Sequence, residues 1–300
     1  MRVPRAILML PSALLVPAAL FAQAPLRLTL IDTAVLSAPR LDESSGVAPS
    51  RRAGVYWTQN DSGDGPFLYA TDSAGNDLGR IHIDGATNVD WEDIAKGPCP
   101  SRQGTCIYIG DIGDNSANRN SVIVYVVPEP DPPTGPADTM RHVQAIDSIR
   151  LRYPDHAHDA EGLAVTADGR LLVVTKDLTA RARLFSTSVS GHGSAPVTLS
   201  VVCTLQIAVN PLRGRLVTGI AISPDQRWLV ARTYISIHAF ALDSSCAPLV
   251  RETGVTIPVI ESQGEGVSFD GEGRIVMTSE RGTTGHAIIS RYRIEGLRPR

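Results

Sequence analysis

Gln263-Gly264-Glu265-Gly266-Val267-Ser268 is the last of five related phrases, and their spacing decides the fold. The others are Glu43-Ser44-Ser45-Gly46-Val47-Ala48, Asp90-Trp91-Glu92-Asp93-Ile94-Ala95, Asp159-Ala160-Glu161-Gly162-Leu163-Ala164 and the degenerate Leu216-Val217-Thr218-Gly219-Ile220-Ala221. Aligned on Ser45, Glu92, Glu161, Thr218 and Glu265, they lie 47, 69, 57 and 47 residues apart. A period of roughly 40–50 residues is that of a β-propeller blade, and the two longer intervals call for loop insertions.

Each phrase is followed by a turn and then an apolar, β-rich run. Ala167-Asp168-Gly169-Arg170, Ser223-Pro224-Asp225-Gln226 and Asp270-Gly271-Glu272-Gly273 are such turns, and Leu171 to Val174, Trp228 to Ala231 and Ile275 to Met277 are such runs. Polar turns between apolar runs signal hairpins. A third strand follows in every unit, for example Val122 to Val126. A fourth is visible in four units, at Gly79–Ile83, Ser148–Arg152, Val197–Leu205 and Gly254–Val259. The fifth unit runs out of chain after Leu297, whereas Leu26 to Leu36 alternates as a strand does and is free to fill that place. Borrowing it would close the ring and remove two open edges. The expectation is an all-β propeller of five four-stranded blades closed by an N-terminal strand. Six blades is the alternative, with the extra one hidden around the Pro128–Pro136 loop of the long second unit.

Residues 1–24 read as an export signal, with Arg2 and Arg5 before an apolar stretch and Ala22-Gln23-Ala24 as a small-x-small cleavage site. Pro11 and Pro17 break that stretch, which argues against a membrane anchor. Residues 25–300 are then one propeller domain, exported to the periplasm or beyond, with no transmembrane span and with a monomer expected. Cys99, Cys106, Cys203 and Cys246 suit that compartment. Cys99 and Cys106 would clip one loop, leaving Cys203 for Cys246. The net charge is -3 over 300 residues, without a lysine and arginine cluster after residue 25, which argues against nucleic acid as a partner.

In a four-stranded blade, loops entering the innermost strand and loops from the second to the third strand share a rim. The phrases occupy the first kind. The second kind holds Asn60-Asp61-Ser62-Gly63-Asp64, Gly110-Asp111-Ile112-Gly113-Asp114-Asn115, Lys176-Asp177, Arg232-Thr233-Tyr234 and Ser279-Glu280-Arg281. Glu43, Asp90, Glu92, Asp159, Glu161 and Glu265 therefore converge on a narrow channel, where like charges repel unless compensated. A cation is one compensation, and an oxygen-rich donor set suits Ca²⁺ or Mg²⁺. Asn60, Asp61, Asp64, Asp111, Asp114, Asn115, Lys176, Arg232 and Glu280 are candidate contacts to a ligand. The competing readings are that the acids lock blades together by accepting backbone N–H bonds or pairing with arginines and lysines, or that they act in acid and base catalysis. For catalysis the candidates are Glu161 and His158, which with His156 precedes the third phrase on the same rim. Trp91 reads as a packing residue between blades. GxSxG, HExxH and GxxxxGK[ST] are absent, which disfavours α/β-hydrolase, zincin and P-loop chemistry.

The phrases Asn60-Asp61-Ser62-Gly63, Asp90 to Ala95, Gly110 to Asn115, Asp159 to Gly162 and Gln263 to Gly266 resemble those of exported bacterial β-propeller proteins of uncharacterised function. More distantly they are similar to phytase-like and gluconolactonase-like propellers. The resemblance runs from about Leu41 to about Arg281. It implies a divalent cation, often calcium, at the polar end of the channel, and hydrolysis of a phosphate ester or a lactone. The fourth phrase departs from the acidic pattern at Leu216 and Thr218. Three functions remain open on sequence: a metal-dependent binder of a small ligand or partner, a metal-dependent hydrolase of a small ester, lactone or phosphoester, and a non-catalytic interaction module of the cell envelope.

Overall fold

The computed structural model describes residues 25–101, 103–135, 140–179, 181–207, 214–248, 255–258, 261 and 263–297. The expected export signal lies outside them. Five small sheets form a five-bladed propeller. In the first blade β2 (Ser44–Pro49), β3 (Val55–Asn60), β4 (Phe67–Asp72) and β5 (Asp77–Asp84) run from the inside outward. The second has β6 (Trp91–Pro98), β7 (Thr105–Asp111), β8 (Val122–Pro128) and β10 (Asp147–Arg152). The third has β11 (Ala160–Val165), β12 (Arg170–Thr175), β13 (Arg181–Ser188) and β15 (Ser200–Gln206). The fourth has β16 (Val217–Ile222), β17 (Trp228–Thr233), β18 (Ser236–Ala241) and the short β19 (Val255–Thr256), with Gly254 and Val259 of the expected strand outside the described residues.

The fifth blade closes the ring. It comprises β20 (Gln263–Phe269), β21 (Ile275–Glu280), β22 (Ile288–Glu295) and, as its outermost strand, β1 (Arg27–Val35). β1 runs antiparallel to β22 from Arg27 opposite Glu295 to Val35 opposite Ile288, as the alternation of Leu26 to Leu36 led one to expect. The six-blade alternative fails because the insertion after β8 builds no sheet of its own. Instead β9 (Arg141–Gln144) crosses back and lies parallel on β5. Likewise β14 (Val197–Thr198), from the third unit, lies parallel on β10. Both cover edges that would otherwise present unpaired backbone groups.

The core is divided into five layers, one between each pair of neighbouring blades. Trp57, Leu68 and Ile81 pack on Trp91, Ile107 and Ile109. Tyr108, Val124 and Ile149 pack on Leu163, Val173 and Phe185. Successive residues of β7 thus serve opposite layers, because side chains alternate across a strand. This is why the middle strands read as unbroken apolar runs: both of their faces are buried. Trp91 is a packing residue, with its indole N–H donated to the carbonyl of Thr87 at 2.9 Å. Both expected disulfides form. Cys99–Cys106 clips the β6–β7 loop, and Cys203–Cys246 ties β15 to the loop after β18, joining the third and fourth blades. Among the described residues, no helix is long and apolar enough to cross a membrane.

Candidate metal and ligand site at the channel mouth

All five inner strands carry an irregularity at the same place. The pairing with the second strand slips between Ser44 and Val47, Trp91 and Asp93, Ala160 and Gly162, Val217 and Gly219, and Gly264 and Val267. The residues skipped include Ser45, Glu92, Glu161, Thr218 and Glu265, the positions on which the five phrases align. A bulge turns the skipped side chain out of its alternating position. The repeated phrase is therefore a repeated bulge that re-aims one side chain per blade.

The residue that follows each aligned position sets the bore of the channel. A Cβ on Gly46 would stand 2.4 Å from the amide nitrogen of Ile94, one on Gly219 2.8 Å from the carbonyl of Glu265, and one on Gly266 2.5 Å from the carbonyl of Ser45. Glycine is needed because neighbouring backbones touch here. The second blade alone has a side chain at this position, Asp93. It is fully buried, and it accepts N–H bonds from Ile94 at 2.8 Å, Leu163 at 2.9 Å and Ile220 at 3.5 Å. Burial pushes its carboxyl well above the usual range despite those bonds. Asp93 plugs the channel and bridges the second, third and fourth blades. Below it, apolar ends of all five inner strands line a cavity of about 210 Å³.

Above the plug the bulge residues divide into two kinds. Ser45 donates its hydroxyl to the carbonyl of Glu92, and Thr218 donates to the carbonyls of Gly264 and Glu265 at 2.9 and 3.2 Å. These two lock blades together. Glu92, Glu161 and Glu265 do not lock: all three are buried, and their carboxyl groups face other charged groups of the mouth. The entry loops and the second-to-third loops do share a rim. Asp61 N–H bonds to the carbonyl of Glu43 at 3.1 Å, Gly113 N–H to that of Asp90 at 3.2 Å and Lys176 N–H to that of Asp159 at 3.0 Å.

These bonds bring carboxylates of three blades together. Oxygens of Asp61, Asp90 and Glu92 lie within 4.8 Å of one another, and so do those of Glu92, Asp159 and Glu161. Glu92 belongs to both groups. Gly113 allows the approach, since a Cβ there would be 2.2 Å from Glu92 Oε1 and 2.5 Å from Asp90 Oδ2. Positive charge is scarce. Lys176 pairs with Glu161 and lies 5.5 Å from the ring centroid of Tyr234, and Arg119 pairs with Asp111 at 2.8 Å. The titrations carry the strain. Desolvation raises Glu92, aided by Glu161, Asp61 and Asp90. Desolvation also lifts Glu161 to about 7, the pull of Lys176 being insufficient to hold it down. Asp90 rises to about 6 through desolvation and then Asp61 and Asp159. Across the mouth, desolvation and the charges of Asp61 and Glu43 lift Glu280 to about 7, and Glu265 is raised by desolvation and then by Glu161. Among the buried oxygens without a hydrogen-bond partner in the described residues are Asp111 Oδ2, Glu265 Oε2 and Gln59 Oε1.

The remaining candidates are placed as follows. Glu43 is exposed at the rim and raised by desolvation and by Asp61. Asn60 organises its own loop: its Oδ1 accepts the N–H groups of Asp42 and Glu43, and its Nδ2 donates to Arg40 and to Asp64. Asp64 also accepts from Tyr69 at 2.7 Å. Asp114 is buried, accepts the Arg119 N–H at 2.7 Å and donates its own N–H to Asp159 at 2.9 Å, while Asn115 is exposed. Arg232 does not line the mouth: it is fully buried, pairs with Glu261 and donates to the carbonyls of Gly266 at 2.6 Å and Thr278 at 2.8 Å. It braces the fourth blade against the fifth. His158 stands apart from the carboxylates, bonded to Asp155 at 3.1 Å and packed on Tyr153 and Phe185, while His156 is exposed. Sequence reasoning missed Asp93 as the plug. Its signal was that it takes the place of the glycine found in the other four phrases.

No family model matches the chain, and no curated protein matches it. Solved structures do. A chain of a nidogen/laminin complex aligns at 11% identity over 80% of this chain and 73% of its own, with a TM-score of 0.47. Luciferin-regenerating enzyme aligns at 10% identity over 84% of this chain and 74% of its own, with a TM-score of 0.42. The β-propeller domain of Cps50 (Swd1) from Myceliophteria thermophila aligns at 11% identity over 87% of this chain and 99% of its own, with a TM-score of 0.40.

Proposed function

We propose that the channel mouth binds a divalent cation, Ca²⁺ or Mg²⁺, through Asp61, Asp90, Glu92, Asp159 and Glu161, and that the ion presents a small oxygen-bearing ligand or a partner to the rim of an exported protein. One observation carries the reading: the two carboxylate groups sharing Glu92 crowd more negative charge than Lys176 and Arg119 offset. The donors are all oxygens, the set that hard cations take. The two disulfides fit a protein working outside the cytoplasm. The test is thermal unfolding of chelator-dialysed protein during titration with Ca²⁺, Mg²⁺ and Mn²⁺. An ion that binds only the folded state raises the midpoint with concentration, by about 2.7 kcal/mol of stability at a hundred times its dissociation constant. Glu161→Gln should abolish the rise. A midpoint that no ion moves sinks the proposal.

A second reading, a metal-dependent hydrolase, is favoured by a separate observation. Asp90 at about 6 and Glu161 at about 7 are carboxyl groups that exchange protons near neutrality, as a general acid or base must. Each lies in a group of oxygens that includes Glu92, Asp90 with Asp61 and Glu161 with Asp159. His158 is in neither group. Screens for esterase, lactonase and phosphatase activity with and without the stabilising ion separate this reading from plain binding.

A further inference from the structure

A different cluster lies on the outer edge of the first blade, on the far side of β3 and β4 from the channel. His82 and Asp84 are two residues apart on β5, so the pleat puts both on one face. The parallel pairing of β9 sets His142 directly opposite His82. His82 Nδ1 is 2.7 Å and His142 Nδ1 2.9 Å from the same oxygen, Asp84 Oδ1. Donor atoms of the three residues lie within 4.8 Å of one another. The three are partly exposed, with side-chain exposures of 28%, 41% and 51% for His82, Asp84 and His142.

A comparable trio on the second-to-third blade side shows what distinguishes this one. Asp155, His156 and His158 also gather donor atoms, but the Arg183 guanidinium pairs with Asp155 and approaches His158 Nε2 at 3.3 Å. A cation already fills that place. Among the described residues, no lysine or arginine pairs with Asp84, whose ionic partners are the two imidazoles.

We propose that His82, Asp84 and His142 form a binding site for a borderline divalent transition ion, Zn²⁺, Cu²⁺ or Ni²⁺. Two imidazole nitrogens and one carboxylate are the donors these ions favour, whereas Ca²⁺ and Mg²⁺ prefer oxygens alone. Bonds of about 2.1 Å in tetrahedral array place donors about 3.4 Å apart, so the side chains need open by only about 0.5–0.7 Å. Solvent supplies the remaining positions. The ion would staple the excursion of the second unit to the first blade, joining β9 to the edge it covers.

The experiment is calorimetry with Zn²⁺ on chelator-dialysed protein saturated with Ca²⁺, paired with electron paramagnetic resonance of the Cu²⁺-loaded protein. The expected result is one Zn²⁺ equivalent, retained in Glu92→Gln. In His142→Ala its affinity falls at least about a hundredfold, more than is typical for loss of a supporting hydrogen bond. The Cu²⁺ spectrum should show coupling to two imidazole nitrogens in the parent and to one in His142→Ala. His142→Gln, which keeps a hydrogen bond to Asp84, serves if the alanine variant misfolds. Absence of Zn²⁺ binding overturns the proposal, as does unchanged affinity and spectrum in both His142→Gln and Asp84→Asn.

Discussion

Replacing Glu92 with Gln should stabilise the metal-free protein and, at the same stroke, remove the stabilisation expected from the divalent cation proposed for the mouth. Glu92 is raised by its burial and by the neighbouring Glu161, so the folded protein retains a proton that the unfolded chain gives up. The scale comes from its partner. Glu161 rises from 4.5 to about 7, and at 1.36 kcal/mol per unit this is a cost of about 3 kcal/mol near pH 7.5. A raised carboxyl binds more protons in the native state than in the unfolded one. Stability is therefore full below about pH 4.5 and falls as the pH rises towards 7. Glutamine has the shape of the protonated acid and keeps an N–H to donate to Glu161, without any proton to take up. In chelator at about pH 7.5 the variant should melt about 5–10 °C higher than the parent, and its curve should flatten across the acid range. Adding the proposed cation, Ca²⁺ or Mg²⁺, should raise the parent's midpoint and leave the variant's unmoved. The assay is calorimetric unfolding at a series of pH values, in chelator and in each cation. A variant less stable than the parent in chelator, or a parent whose stability is flat from pH 4.5 to 7, would refute the electrostatic argument.

Three further outcomes test the scaffold. Gly266→Ala places a Cβ 2.5 Å from the carbonyl of Ser45 and 2.5 Å from the Thr278 hydroxyl, and should cost about 3 kcal/mol or prevent folding, as read by urea denaturation. Arg232→Met strands Glu261 in the interior and should cost about 3–5 kcal/mol, whereas Arg232→Met with Glu261→Leu should recover most of the loss in the same denaturation series. Asp93→Ala leaves the N–H groups of Ile94, Leu163 and Ile220 without their acceptor at the channel axis and should cost about 3 kcal/mol or more, while Asp93→Asn, which retains one acceptor oxygen, should cost less.

The blade count was legible because each blade repeats one local problem. Both faces of a blade are buried, so every middle strand must be apolar throughout, and the turns between strands need their own residue types. The closing strand was legible for a related reason: a ring with an open edge leaves a strand short, and only Leu26 to Leu36 had the alternation to fill it. The insertion after Pro128 was harder. A four-residue strand such as Arg141–Gln144 has too little pattern to announce itself, and its partner lies in another blade. For the same reason the meeting of His82 with His142 is invisible along the chain.

At the channel mouth, sequence determined which residue of each blade would be special, since the five phrases align on it. It did not reveal what any of them does there. Serine, threonine and glutamate occupy equivalent bulges, yet Ser45 and Thr218 lock blades while Glu92 and Glu161 join a carboxylate cluster. That division depends on which carbonyl or carboxyl the neighbouring blade presents across the bore. Arg232 illustrates the limit: its place in a polar loop pointed to the rim, but tertiary structure buries it against Glu261 and the carbonyls of the fifth blade. Local pattern determines strands, turns and bulges because their forces act within a few residues. Charge pairing, channel bore and the partner of each buried polar group depend on chain segments dozens of residues apart, and only the closed ring decides them.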